Sequence, residues 1–141
     1  MSIRKQQTGS FLLEALIAIL IFSMGILAIV GLQAASIKAS GDAKYRSDAN
    51  MLANQLIGQM WVSDRTAATL RANYQTGGAA YTAWQTDVVG GLPGAAENPP
   101  TVAVDLIVGP NVTGSRVTIT VFWKTPSEST VHQYSVVTQI I

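Results

Sequence analysis

The chain contains no cysteine and only one histidine, His132. Disulfide staples, thiolate chemistry and any two-histidine metal site are therefore excluded, while an extracytoplasmic location is permitted without being supported. Charge is also scarce. Nine Lys and Arg stand against eight Asp and Glu, a formal net charge of +1 that argues for neither nucleic acid nor an acidic partner. The most informative gap is local: no charged side chain occurs from Ala15 to Ile37.

Groups that would make an enzyme are not gathered in any recognisable pattern. Serine, histidine and aspartate all occur, but no nucleophile elbow surrounds a serine. The pairs Gly77-Gly78 and Gly90-Gly91 lack the lysine and helix start of a phosphate loop. His132 lies on an alternating segment and reads as a surface or edge residue. Asn111-Val112-Thr113 matches a glycosylation acceptor but sits where a turn is expected. No catalytic residue, cofactor or metal ligand is assigned, and the chain reads as a non-enzyme.

What is present is a membrane-length apolar helix. Its 23 uncharged residues from Ala15 to Ile37 would span about 34 Å at a rise of about 1.5 Å per residue. Arg4 and Lys5 precede it and the next basic residue is Lys38, which keeps the short end in the cytoplasm and sends the body across the inner membrane. Glu14 interrupts the leading edge of the apolar segment. A secretory signal would offer small residues for cleavage at Gln33-Ala34-Ala35-Ser36, but its apolar core is usually about half this length. A plain anchor fits the length and leaves Glu14 to reach toward headgroups. Neither gives the carboxylate a partner, although such a group in hydrocarbon costs about 2.5–3.5 kcal/mol at the centre and less near an end.

The residues around it, Thr8-Gly9-Ser10-Phe11-Leu12-Leu13-Glu14-Ala15-Leu16-Ile17, resemble the class III signal of type IV prepilins and type II secretion pseudopilins. In that family a leader is cut after a glycine and a glutamate stands fifth in the mature chain. Here Gly9 precedes the cut and Glu14 is fifth counting from Ser10. The resemblance implies that prepilin peptidase removes Met1–Gly9 and that Ser10, where the family most often has Phe, becomes an N-methylated terminus. It assigns Glu14 to pair with the terminal amine of a neighbouring subunit. Losing Arg4 and Lys5 leaves seven basic against eight acidic residues.

The small residues Ala15, Ala18, Gly25, Ala28 and Gly31 would let helices approach closely in lipid or in a filament. Many major pilins have proline where this chain has Gly31. Beyond Ser36, Tyr45, Ala49, Leu52, Ala53, Leu56 and Met60 recur at three- and four-residue steps and predict an amphipathic continuation. Asp64 is a candidate cap for a short helical stretch through Arg71. Residues 73–100 shift to Gly, Ala, Thr and Pro, with another short helix over Tyr81–Val89. From 101 onward apolar residues alternate: Val102, Val104, Leu106 and Val108, then Val117, Ile119, Val121 and Trp123, then a third strand through His132 to Ile140. Turns are expected at Gly109–Ser115 and Thr125–Ser129. Trp61, Trp84 and Trp123 read as core or interface anchors.

The expected fold is α+β: a long N-terminal α-helix packed on a small antiparallel β-sheet, as in pilins. Its organisation is a leader at 1–9, a transmembrane and assembly half of the helix at 10–36, and a periplasmic head at 37–141. The head comprises amphipathic helix 37–63, a variable loop region 64–100 and a β meander 101–141.

Several segments resemble PilV-type minor pilins, the type IV pilus modification proteins. They are Ser23 through Gln33, Tyr45 through Leu56, Arg71-Ala72-Asn73, Trp84 with Leu92-Pro93-Gly94, and Val117 through Trp123. The match runs in order along most of the chain, strongest through Gln55 and looser from Thr76 to Pro100. It implies a low-abundance subunit that primes pilus assembly, first in the inner membrane and then in the fibre. The implied partners are prepilin peptidase, other minor pilins and pilus subunits, with a tip adhesin as a further candidate and no nucleic acid. Adhesion and twitching motility are the implied outputs. A minor pseudopilin of type II secretion is the alternative, and a signal-anchored periplasmic enzyme or sensor is a third reading.

Overall fold

A computed structural model describes residues 8–108, 113–126 and 128–141. Most of the leader, residues 109–112 with the glycosylation-like Asn111, and Ser127 lie outside the described residues. The chain divides into two compact units, Met1–Gly41 and Asp42–Ile141.

The first helix, α1, runs unbroken from Thr8 to Val62. No proline occurs within it; all five prolines of the chain lie at position 93 or beyond. The structure carries helix straight through Gly25, Gly31, Gly41 and Gly58, each of which weakens a helix by about 1 kcal/mol relative to alanine. Among the described residues the first unit consists of α1 alone, and its large apolar side chains are exposed.

The second unit is built as the apolar periodicity predicts. Ala49, Leu52, Ala53, Leu56 and Met60 of α1 are all buried, and Tyr45 packs partly against them. Two shorter helices follow, α2 over Ala67–Tyr74 and α3 over Ala79–Gly91. Residues 64–100 are thus not loop throughout: the short helices expected through Arg71 and over Tyr81–Val89 are present as α2 and α3, each longer at its C-terminal end, and they bury Leu70 and Tyr74, and Tyr81, Trp84 and Val88. Thr66, not Asp64, is the N-cap of α2, its hydroxyl accepting from the Thr69 amide. Asp64 instead accepts from the Thr66 amide at 3.0 Å and from the Thr69 hydroxyl at 2.9 Å. It braces the cap from one turn earlier.

Leu92-Pro93-Gly94 leads out of α3. Gly94 has φ +70°, and a Cβ there would lie 2.9 Å from the Cβ of Lys124. The adjacent Pro93 carbonyl accepts from the Lys124 amide at 2.8 Å. Only glycine combines that backbone turn with so close an approach.

Strands β1 (Thr101–Val108), β2 (Thr113–Trp123) and β3 (His132–Ile140) form one antiparallel sheet in the order β1-β2-β3. The register pairs Val104 with Val117, Ile119 with Val136, and Trp123 with His132. One face carries Val102, Val104, Val117, Ile119, Val121 and Trp123 into a shared core with α1 and α3. Each fully buried side chain of this kind contributes about 1.5–3 kcal/mol. The α+β arrangement of a long N-terminal helix and a small antiparallel sheet is as expected.

The alternation in β1 loses its buried partners after Val104. Leu106 and Val108 stay substantially exposed, because Leu106 borders an open hollow of about 460 Å³ between the start of α2 and the sheet end, lined also by Asp64, Arg65, Ser115 and Ile140. The outer edge of β1 is covered: Thr76 exchanges main-chain and hydroxyl hydrogen bonds with Val102, and Arg71 Nε donates to the Val104 carbonyl at 2.9 Å. Such cover blunts an edge that would otherwise pair with other chains.

Candidate functional site

Every sequence-assigned site residue lies in the first unit, on α1. A helix places successive side chains about 100° apart. By that spacing Ser10, Glu14, Ala18, Gly25 and Ala28 fall within about a quarter turn of one another, whereas Gly31 is rotated about a quarter turn away from Glu14. Ser10, Leu13, Glu14, Ile17, Ala18 and Ile21 line one shallow concavity along this side. Ser10, Glu14, Ala18, Gly25 and Ala28 therefore share one side of α1, spread over about 27 Å of its length, and Gly31 lies at the margin of that side, about 60° from Ala28.

Around the rest of the helix in this stretch the side chains are large, apolar and exposed: Phe11, Leu12, Leu16, Leu20, Phe22, Met24 and Leu27 each keep more than half of their surface. Water disfavours that much contiguous apolar area, so it requires lipid or protein around it. α1 is long and apolar enough to cross a membrane, making it a candidate single-pass anchor. Polar groups in this stretch are few and handled locally. The Ser23 hydroxyl donates back to the Ile19 carbonyl at 2.7 Å. Glu14 is the exception: exposed, it makes no hydrogen bond or ion pair among the described residues. Among the described residues nothing meets a Cβ built at Gly9, Gly25 or Gly31, so packing among them demands none of these glycines.

In the second unit the three tryptophans separate. Trp84 and Trp123 are core residues, while Trp61 is 43% exposed. Sequence reading assigns no ligand set, yet Asp42, Glu128 and His132 present oxygen and nitrogen atoms that all lie within 4.8 Å of one another. His132 Nε2 is 2.6 Å from a Glu128 carboxylate oxygen, and its ring stacks on Trp123 at a centroid distance of 5.8 Å and an interplanar angle of 15°. The Thr125 hydroxyl donates to the same Glu128 oxygen at 3.0 Å. A hollow of about 340 Å³ adjoins them, lined by Asp42, Arg46, Trp123, His132 and Gln133. The sequence signal is the four-residue spacing of Glu128 and His132; the placement of His132 across from Trp123 comes from the strand register, and Asp42 is too distant in sequence to be associated.

No family model matches the chain, and no curated protein or solved structure matches it significantly.

Proposed function

We propose that the chain belongs to the prepilin class. It is inserted through α1 into the inner membrane with its C-terminal unit in the periplasm, is processed after Gly9 by prepilin peptidase, and assembles through the helix face that carries Glu14. The observation that carries this reading is one carboxylate, five residues past Gly9, without a partner among the described residues on an exposed apolar helix. A neighbouring subunit's new α-amino group, cationic at neutral pH with a typical pKa near 8, supplies the missing counter-charge. An isolated charge in hydrocarbon is penalised, so the pairing fixes the stagger between adjacent helices. Ala18, Gly25 and Ala28 on the same side allow close helix approach.

More narrowly, the chain is a PilV-like minor pilin that joins other minor pilins and pilus subunits to prime type IV pilus assembly. The α+β layout, with the amphipathic part of α1 laid on a three-stranded meander, supports a pilin head that does without a disulfide, since no cysteine is available. The fibre is its final location.

Mass spectrometry of the protein recovered from membranes tests this reading, comparing wild type with Gly9→Ala. The wild-type chain is expected to start at Ser10 and the variant to retain Met1–Gly9. Among the described residues a Cβ at Gly9 meets nothing within 4 Å, so retention would report peptidase recognition and not misfolding. Wild-type protein found with its leader intact, or a variant cut normally, would overturn the assignment.

A further inference from the structure

We propose that Asp42, Glu128 and His132 bind a divalent first-row transition-metal ion of the zinc type, tying the β2–β3 connection to α1. The proposal does not depend on the reading of the first unit, because all three residues belong to the second.

The donor set is one imidazole nitrogen and two carboxylate oxygens, each within 4.8 Å of the others. Imidazole selects zinc-like ions over calcium and magnesium, which prefer all-oxygen ligands. Zinc bonds to such ligands are about 2.0–2.2 Å long, so tetrahedral donors stand about 3.3 Å apart. Reaching that spacing requires His132 and Glu128 to part from 2.6 Å and any wider pair to close by no more than about 1.5 Å. Side-chain rotation covers both. Two carboxylates and a neutral imidazole also balance the charge of a divalent ion.

Two of the ligands are already oriented. Trp123 is 3% exposed and holds the His132 ring in a stack, while the Thr125 hydroxyl fixes the Glu128 carboxylate. Partners of this kind tune metal ligands and are worth tenfold or more in affinity. Asp42 comes from a separate element, so the ion links strand β3, the loop before it and α1. The adjoining hollow leaves room for water to complete the coordination shell. Arg46 lines that hollow as well, and its charge opposes a bound cation without blocking the three donors. In a chain lacking disulfides, such a link takes over the cross-bracing of the sheet end.

The test is a titration of the full-length protein in detergent micelles with Zn²⁺, followed by thermal unfolding and by Trp fluorescence, and with Co²⁺, followed by its visible d–d spectrum. Zn²⁺ should raise the Tm and perturb the fluorescence of Trp123, and Co²⁺ should give a bound spectrum that Zn²⁺ displaces. His132→Gln and Asp42→Asn should each weaken binding at least tenfold, with Mg²⁺ and Ca²⁺ inactive at the same concentration. Equal affinity in wild type and both variants, or an equal response to Mg²⁺, would overturn the proposal. So would the absence of any Co²⁺ spectrum in the folded wild-type protein, which would leave Glu128 and His132 as a simple hydrogen-bonded pair.

Discussion

The indole Nε1 of Trp84, on α3, donates a 2.8 Å hydrogen bond to the main-chain carbonyl of Leu52, inside α1. Trp84 is 2% exposed, and its ring meets Tyr81 at 6.1 Å and 57°. Tyr81 in turn donates through its hydroxyl to the Pro100 carbonyl at 2.6 Å, and burial raises its phenol pKa. One aromatic side chain thus locks α3 to α1 and, through its neighbour, to the entrance of β1.

Replacing Trp84 separates its packing from its polar contact. The Leu52 carbonyl lies within a helix and has an intrahelical partner available, so losing the indole donor strands no buried acceptor. Trp84→Phe should therefore cost about 1–2 kcal/mol, from the lost bond and a small void. Trp84→Ala should cost about 3–5 kcal/mol. Urea unfolding of the full chain in detergent, followed by far-ultraviolet circular dichroism, measures both. Equal losses would mean that the hydrogen bond, not the ring, carries the contact.

How much of this was legible in the sequence depends on whether the signal is local. The 3.6-residue recurrence of Ala49, Leu52, Leu56 and Met60 and the twofold alternation of Val117, Ile119, Val121 and Trp123 are consequences of helix and strand geometry, and both predicted the buried face residue by residue. The register of Glu14 with Gly9 is equally local. In residues 64–100 the two helices are legible but their bounds are not, because α2 and α3 are rich in Ala, Thr and Gly, whose small or polar side chains carry little periodicity. Asp64 was read as a cap because it has the right chemistry; its neighbour Thr66 took the position, and only the backbone decides between them. Glu128 and His132 stand only four residues apart, but Asp42 joins them through tertiary structure alone, and nothing in its sequence surroundings links it to them.

The Asp64 brace predicts a pH effect on the second unit. Its carboxyl pKa is lowered from 3.8 chiefly by the Thr66 amide hydrogen bond, then by the hydroxyl of Thr69. A group whose folded pKa is depressed contributes stability above its unfolded value and loses that contribution as the pH falls through the folded value. The Tm of wild type should therefore fall more steeply than that of Asp64→Asn on acidification below about pH 4. Asparagine keeps an acceptor for the Thr66 amide but does not titrate, so the gap between the two proteins at neutral pH should shrink in acid. Parallel Tm profiles from neutral to strongly acid pH would show that the brace does not depend on charge.

Glu14 offers the sharpest separation between anchoring and assembly. Among the described residues Glu14 is exposed and makes no hydrogen bond or ion pair, and removing the carboxylate relieves a penalty in lipid. Glu14→Ala should accordingly be inserted and processed at least as well as wild type. Under the proposed pairing it should nevertheless fail in assembly, since the partner's amine would be left unmatched next to an apolar helix. Glu14→Gln retains the shape and hydrogen-bonding capacity without the charge, and should fail as well, because a neutral amide does not offset a cation. Cleavage is read by mass, insertion by membrane fractionation, and assembly by the amount of each variant in sheared pili and by surface pilus number. Wild-type piliation with Glu14→Ala would mean that the carboxylate serves only the membrane boundary. Rescue by glutamine alone would reassign it from ion pairing to hydrogen bonding.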